Sequence, residues 1–240
     1  GLGDVYKRQV MDGHGGYMNG SRYYGEDLPI NTWYMKRFAG LSEDGLSLWY
    51  YTDKETNEEK TTTTYSTGDF YLCGDPNPDL YGGFGTSITF HGFDLSTQFS
   101  YLVGGLTYDY GYAGMMGNPT ATSVGNRWHK DVLKAWSPEN PSSTIPRWHF
   151  NDLNTTGSSD RFLIDGSYLN LQNIQVGYTL PDSWTSHLKI KNLRLYFVCD
   201  NVYYWSKRKG LDPRRSISGV GTSGKIAPFR TYSGGISLQF

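Results

Sequence analysis

The sequence predicts an all-β chain, an antiparallel up-and-down segment of a transmembrane β-barrel: a partial barrel, an open curved sheet with long extracellular loops. Three observations predict it. Apolar residues recur with a period of two in five separate runs, which is the mark of a strand with two unlike faces. Each run is about ten to thirteen residues long, which at ~3.3 Å per residue and a tilt near 45° spans roughly 25 Å, the height of an outer-membrane apolar band. The connections also sort by length. Residues 91–92 and 181–190 are short, whereas 105–161 and 204–228 are long and rich in Gly, Pro, Ser and Trp.

The runs succeed one another along the chain. Phe84, Thr86, Ile88 and Phe90 share a face opposite Gly83, Gly85, Ser87 and Thr89. After His91-Gly92 the alternation resumes with Phe93, Leu95, Thr97, Phe99, Tyr101 and Val103 against Asp94, Ser96, Gln98 and Ser100, so the two runs form a tight hairpin. Ile174, Val176, Tyr178 and Leu180 make a third run, closed by Pro181. Leu193, Leu195, Phe197 and Cys199 make a fourth, and Tyr232, Gly234, Ile236, Leu238 and Phe240 a fifth. Leu169 and Leu171 are apolar at odd positions while Ile174 to Tyr178 are apolar at even ones, so the parity flips near Gln172 and Asn173. Either a β-bulge re-aims the side chains there, or the upper strand leaves the membrane and packs differently. One or two further strands are expected between residues 17 and 65. The alternation places Leu95, Phe99, Leu195, Phe197, Ile236 and Leu238 against lipid, and Asp94, Gln98, Arg194 and Gln239 in the lumen.

Composition bounds the alternatives. The 240 residues carry a net charge of -1, 30 glycines, 20 tyrosines and 7 tryptophans. Mean hydropathy is -0.55, and no apolar run approaches the ~20 residues a membrane-spanning helix needs. A helical membrane protein is excluded; a barrel is not, because its averaged faces hide the apolar one. The near-neutral charge argues against a nucleic-acid partner, which calls for a basic face. Cys73 and Cys199 lie far apart with no C-x-x-C spacing, so neither zinc nor a disulfide is implied. The chain starts at Gly1 without a signal-peptide pattern, and the opening GLGDVYKRQ shares no pattern with the rest of the chain. Residues 1–9 are set aside as a non-native leader, and residues 10–240 are read as one C-terminal barrel portion of a longer protein.

Several stretches carry a resemblance. NPDLYGGFGTSITFHGFDLSTQFSYLVGG (77–105), SSDRFLIDGSYLNLQNIQVGYTLP (158–181), DNVYYWSKRKGLDPR (200–214) and RTYSGGISLQF (230–240) resemble, in order and spacing, the C-terminal end of SusC/RagA-like TonB-linked outer-membrane transporters. Weaker similarity reaches back to RFAGLSEDGLSLWYY (37–51). The resemblance implies a 22-stranded barrel in the outer membrane of a Gram-negative bacterium, with an N-terminal plug and a TonB-contacting segment outside these residues. It also implies a SusD-like surface lipoprotein as partner, uptake of oligosaccharide or peptide, and contact with outer-membrane lipid. The ending Gly235-Ile-Ser-Leu238-Gln-Phe240 resembles the assembly signal read by the barrel-assembly machinery, with Gly235, Leu238 and Phe240 as its marks.

Aromatic residues divide into two groups. Tyr81, Phe90, Phe93, Tyr178 and Phe240, at strand ends, suit interfacial girdles. Tyr108, Tyr110, Trp128, Trp136 and Trp148, in a long loop, are the candidate ligand-binding residues: their rings would stack on sugars or peptide side chains, the alternatives being loop packing and contact with the lipoprotein. Asp75, Asn77 and Asp79 have the spacing of the first calcium ligands of an EF-hand, but Leu80 replaces the required glycine and Thr86 the bidentate glutamate. Lys207, Arg208, Lys209, Arg214 and Arg215 form a small basic cluster expected on an exposed extracellular face. His129 and His149 lack a third metal ligand, and no catalytic motif or cofactor motif occurs. The expectation is thus a non-enzyme, a segment of a nutrient importer. The rival reading is a secreted all-β carbohydrate-binding module, and a third is a passive porin or adhesin barrel.

Overall fold

A computed structural model describes residues 15–121, 125, 127–155, 157–208, 210–215, 218–220 and 228–240. The expected leader, residues 1–9, lies outside them, as does Lys209. The described strands run β1 (Tyr17–Asn19), β2 (Arg22–Tyr24), β3 (Thr32–Lys36), β4 (Phe38–Leu41), β5 (Ser47–Thr52), β6 (Glu59–Thr62), β7 (Phe70–Leu72), β8 (Leu80–Phe90), β9 (Phe93–Val103), β10 (Leu106–Tyr108), β11 (Leu163–Asp165), β12 (Tyr168–Thr179), β13 (Asn192–Ser206) and β14 (Thr231–Gln239). They divide between two compact units.

One unit, residues 78–104, 166–214 and 225–240, is the predicted sheet. Its five strands lie in the order β14-β13-β12-β9-β8, every neighbour antiparallel, so the chain meanders up and down and leaves β8 and β14 as edges. The strands are 11, 11, 12, 15 and 9 residues long in chain order. His91 and Gly92 both adopt positive φ, 47° and 83°, the geometry whose twist matches that of a two-residue hairpin. The Gly92 carbonyl accepts from the Thr179 N–H at 2.8 Å, which ties this turn to the end of β12.

The other unit gathers residues up to Asn77 with 105–165 and 215–224. Here the expectation of further barrel strands between residues 17 and 65 is not met. That stretch forms strands of only three to six residues, in a four-stranded sheet β1-β2-β3-β7 and a three-stranded sheet β4-β5-β6, too short to cross a bilayer. β10 and β11 pair separately. Trp33, Met35, Tyr108, Met116 and Phe162 form a core of their own, so the long connections fold around apolar side chains. Lys36, at the end of β3, is buried too, and its ammonium donates to the carbonyls of Tyr65 (2.6 Å), Ser66 (3.0 Å) and Gly68 (2.6 Å), which pins that turn. Burial holds its pKa below the ordinary lysine value, with Asp69 acting in the opposite direction.

Candidate functional site

The five-stranded sheet carries two chemically different faces, and strand register builds both. At the short-turn end Phe90, Phe93, Tyr178, Leu195 and Ile236 stand in one cross-strand row. The next outward row runs Ile88, Leu95, Val176, Phe197 and Gly234. Most of these side chains are exposed although large and apolar, which in water is an unfavourable surface and in lipid a matching one. Rings interlock along it: Phe93 and Tyr178 have centroids 4.4 Å apart, and Phe84 stacks on Phe99 at 4.8 Å.

The parity flip resolves as a bulge. Between Leu171 and Asn173 the register of β12 shifts against β9, where Phe99 and Gln98 are consecutive partners, and against β13, where the partners are Tyr203 and Asp200. Asn201 takes positive φ, 52°, inside β13. The extra residue returns Leu169 and Leu171 to the same face as Tyr101, Phe99, Tyr203 and Trp205, so the apolar wall continues past the irregularity.

The opposite face is polar and partnered. Arg194 grips Asp94 through two bonds, Nε to Oδ1 at 2.9 Å and Nη2 to Oδ2 at 2.6 Å, spanning β12. The pair passes directly over Gly177, where a Cβ would sit 2.4 Å from Asp94 Oδ1 and 2.5 Å from Arg194 Nη2. Tyr196 lies against its register partner Gly235 in the same way, since a Cβ there would stand 2.3 Å from the ring's Cζ. Asn173 donates to Asp200 at 2.7 Å. The sequence assigned Asp94 and Arg194 to one face but did not pair them; the readable signal was opposite charges flanking a glycine on an intervening strand.

The candidate loop residues lie in the other unit. Tyr108 is only 3% exposed, a core ring beside Trp33 and Phe162, and burial pushes its hydroxyl up to about 12. Tyr110 packs its ring 4.4 Å from Tyr108 but keeps an exposed side. Trp128 and Trp148 meet edge to face at 5.6 Å, and the Trp128 indole N–H donates to the Gly117 carbonyl at 3.1 Å. Trp136 covers Gly45. His129 accepts from the Asp131 N–H and caps a short helical turn. In the Asp75-Asn77-Asp79 stretch, the Asp75 carboxylate accepts from the Asn77 N–H at 2.8 Å as part of a turn. Cys73 and Cys199 are free thiols, and burial raises that of Cys73 to about 11. Among the described residues no group of three His, Cys, Asp or Glu side chains converges on a metal position.

Within the terminal motif, Leu238 is exposed on the outward face opposite Leu193, and Phe240 is exposed one residue past β14.

Comparison with known proteins gives this wall a context. No protein-family model matches the chain. It is 29% identical over 235 residues to the TonB-dependent receptor P3 of Formosa agariphila, covering 94% of this chain and 22% of that one. It is 27% identical over 182 residues to the TonB-dependent receptor SusC of Bacteroides thetaiotaomicron, covering 74% and 17%. A solved structure of the RagAB peptide transporter superposes with a TM-score of 0.77 at 25% identity, over 96% of this chain and 25% of that one. The chain therefore spans about a quarter or less of the proteins it matches. Strand pattern, two-faced sheet and relatives agree: the chain is similar in sequence and in fold to SusC/RagA-like β-barrels of the TonB-dependent receptor type, which are outer-membrane proteins of Gram-negative bacteria.

Proposed function

We propose that these strands are the C-terminal part of the barrel wall of an active nutrient importer. In that reading a surface loop region and a SusD-like lipoprotein capture an oligosaccharide or peptide, and a plug outside these residues yields to TonB. The cargo then leaves to the periplasm without covalent chemistry. The observation that carries the reading is the continuous apolar outer wall backed by a polar inner face, because only a closed barrel in lipid gives both surfaces a suitable solvent. The names of the relatives, receptors and a peptide transporter, support the direction of the chemistry.

In the same reading, the exposed sides of Tyr110 and Trp148 are the loop rings that meet cargo or lipoprotein, with Trp128 supporting Trp148 and Tyr108 supporting Tyr110. Gly235, Leu238 and Phe240 are the assembly signal, and barrel-assembly machinery the partner that reads it. A secreted carbohydrate-binding module is disfavoured by the outer wall, since soluble monomers rarely expose a contiguous apolar patch beyond a few hundred Å².

The test is deletion of the intact gene from its host. TonB-dependent growth on one class of oligosaccharide or peptide should be lost and should return with the gene. Unimpaired growth across both classes would contradict the importer reading.

A further inference from the structure

The stretch Gly210-Leu211-Asp212-Pro213-Arg214 does not stand out from the barrel end as a basic loop would. Leu211 and Asp212 are buried, and the Arg214 side chain is only 14% exposed. Arg214 closes a two-bond ion pair on Asp212, Nε to Oδ1 and Nη2 to Oδ2, each at 2.8 Å. Its remaining arm donates to Asn170 Oδ1 at 2.6 Å, and the guanidinium lies 4.7 Å over the Tyr204 ring. Ser206 Oγ, for its part, is within bonding distance of the carbonyls of Arg208 (3.0 Å) and Leu211 (3.2 Å).

The direction of these contacts is the informative part. Asn170 pairs in register with Ser100 and Tyr204, and Ser206 pairs with Tyr168. All five alternate with the outward residues Leu169, Leu171, Tyr203 and Trp205, so all lie on the polar face. Asn170 is itself 3% exposed and reaches Ser100 Oγ at 3.4 Å. The segment is therefore fastened across the inner surface of β12 and β13.

We propose that Leu211–Arg214 is a fixed strap on the inner wall, held by the Asp212–Arg214–Asn170 bolt, and that it sets how large a solute passes along this side of the lumen. Arg214 is then a positioning residue that acts through the strap. Lysine at this position keeps the charge but cannot make the planar two-bond contact and the Asn170 bond together. The consequence for cargo size rests on the importer reading; the narrowing itself does not.

The experiment uses the intact receptor that carries this chain, in cells. Cys73→Ala and Cys199→Ala, together with alanine at every cysteine elsewhere in the receptor, remove the native thiols, and Gln98→Cys places one on the inner face, one rung toward the short-turn end from the strap. The thiol is labelled from outside with N-ethylmaleimide and, separately, with a bulky polyethylene-glycol maleimide. Heat-modifiable mobility confirms that each barrel is assembled. With the native strap the bulky reagent should react far more slowly than the small one. Arg214→Ala should raise the bulky-to-small ratio by roughly tenfold, the population change expected when charge-assisted bonds are lost. Asn170→Ala and Arg214→Lys should raise it by less. An unchanged ratio in assembled Arg214→Ala overturns the proposal; if that variant does not assemble, an unchanged ratio in Asn170→Ala does so. Equal labelling by both reagents with the native strap also overturns it. Because no cargo is involved, a failed importer reading would leave these rates as they are, so the two failures are distinguishable.

Discussion

At the scale of single residues, two glycines govern the inner face. Gly177 leaves room for the Asp94–Arg194 pair and Gly235 for the Tyr196 ring, and in each case a Cβ would enter space already filled. Gly177→Val should therefore separate a partly buried ion pair and cost about 2–4 kcal/mol through overpacking and loss of the pair. Removing the pair first, with Asp94→Ser and Arg194→Ser, should make the same valine nearly harmless. A double-mutant cycle on the fraction of assembled, heat-modifiable receptor measures this, and additive effects would refute the contact. Phe240 is expected to be the other sensitive position. It is exposed beyond the end of β14, where an aromatic ring suits the headgroup level and fixes the depth of the strand. Deleting Phe240 or replacing it with aspartate should lower outer-membrane assembly more than the same change at Gln239. Fractionation of the membranes checks this, and equal effects would make the terminus an ordinary frayed end.

At the scale of elements, the sequence showed what was periodic and hid what was not. The long strands were legible because alternation over ten residues admits one reading, and even the bulge announced itself as a change of parity at Gln172 and Asn173. The short strands of the loop unit were not legible, since three to six residues carry too little period to separate them from barrel strands. Their order depends on distant partners instead: Trp33 donates to the Leu106 carbonyl at 3.1 Å, and the Phe38 N–H donates to Asp160 at 2.8 Å. Within the basic cluster, Arg214 departs from the expected exposed face for a related reason. Charge alone does not tell that Arg214 has Asp212 and Asn170 as partners.

Lys36 gives this unit its own test. Replacing it with methionine removes the donor shared by three carbonyls, each of which becomes a poorly satisfied acceptor worth ~1–3 kcal/mol. Hydrogen exchange of residues 65–68 should accelerate by tenfold or more, the factor that corresponds to ~1.4 kcal/mol. Exchange in β12 and β13 should be unaffected. Unchanged exchange at 65–68 would show that the turn is held by other contacts.

At the scale of the whole molecule, the five-stranded sheet has two open edges, and each carries backbone groups that only further strands can satisfy in lipid. The 240 residues expressed alone should accordingly give aggregate or edge-paired oligomers, and stable single-channel conductance from them would contradict the account. The two-faced sheet is the more basic point, because the barrel, the membrane and the transport reading all depend on it. Phe99 and Gln98 are neighbours on β9 that point to opposite faces, at nearly the same depth in the sheet. A lysine at the lipid face near the midplane should cost ~2–4 kcal/mol, and one in the lumen far less. The most direct measurement is thus the amount of heat-modifiable, outer-membrane barrel formed by the intact receptor carrying Phe99→Lys or Gln98→Lys. Severe loss is expected for the first and near-normal assembly for the second; equal tolerance of both lysines would rule out a lipid-facing and a lumen-facing side of this sheet.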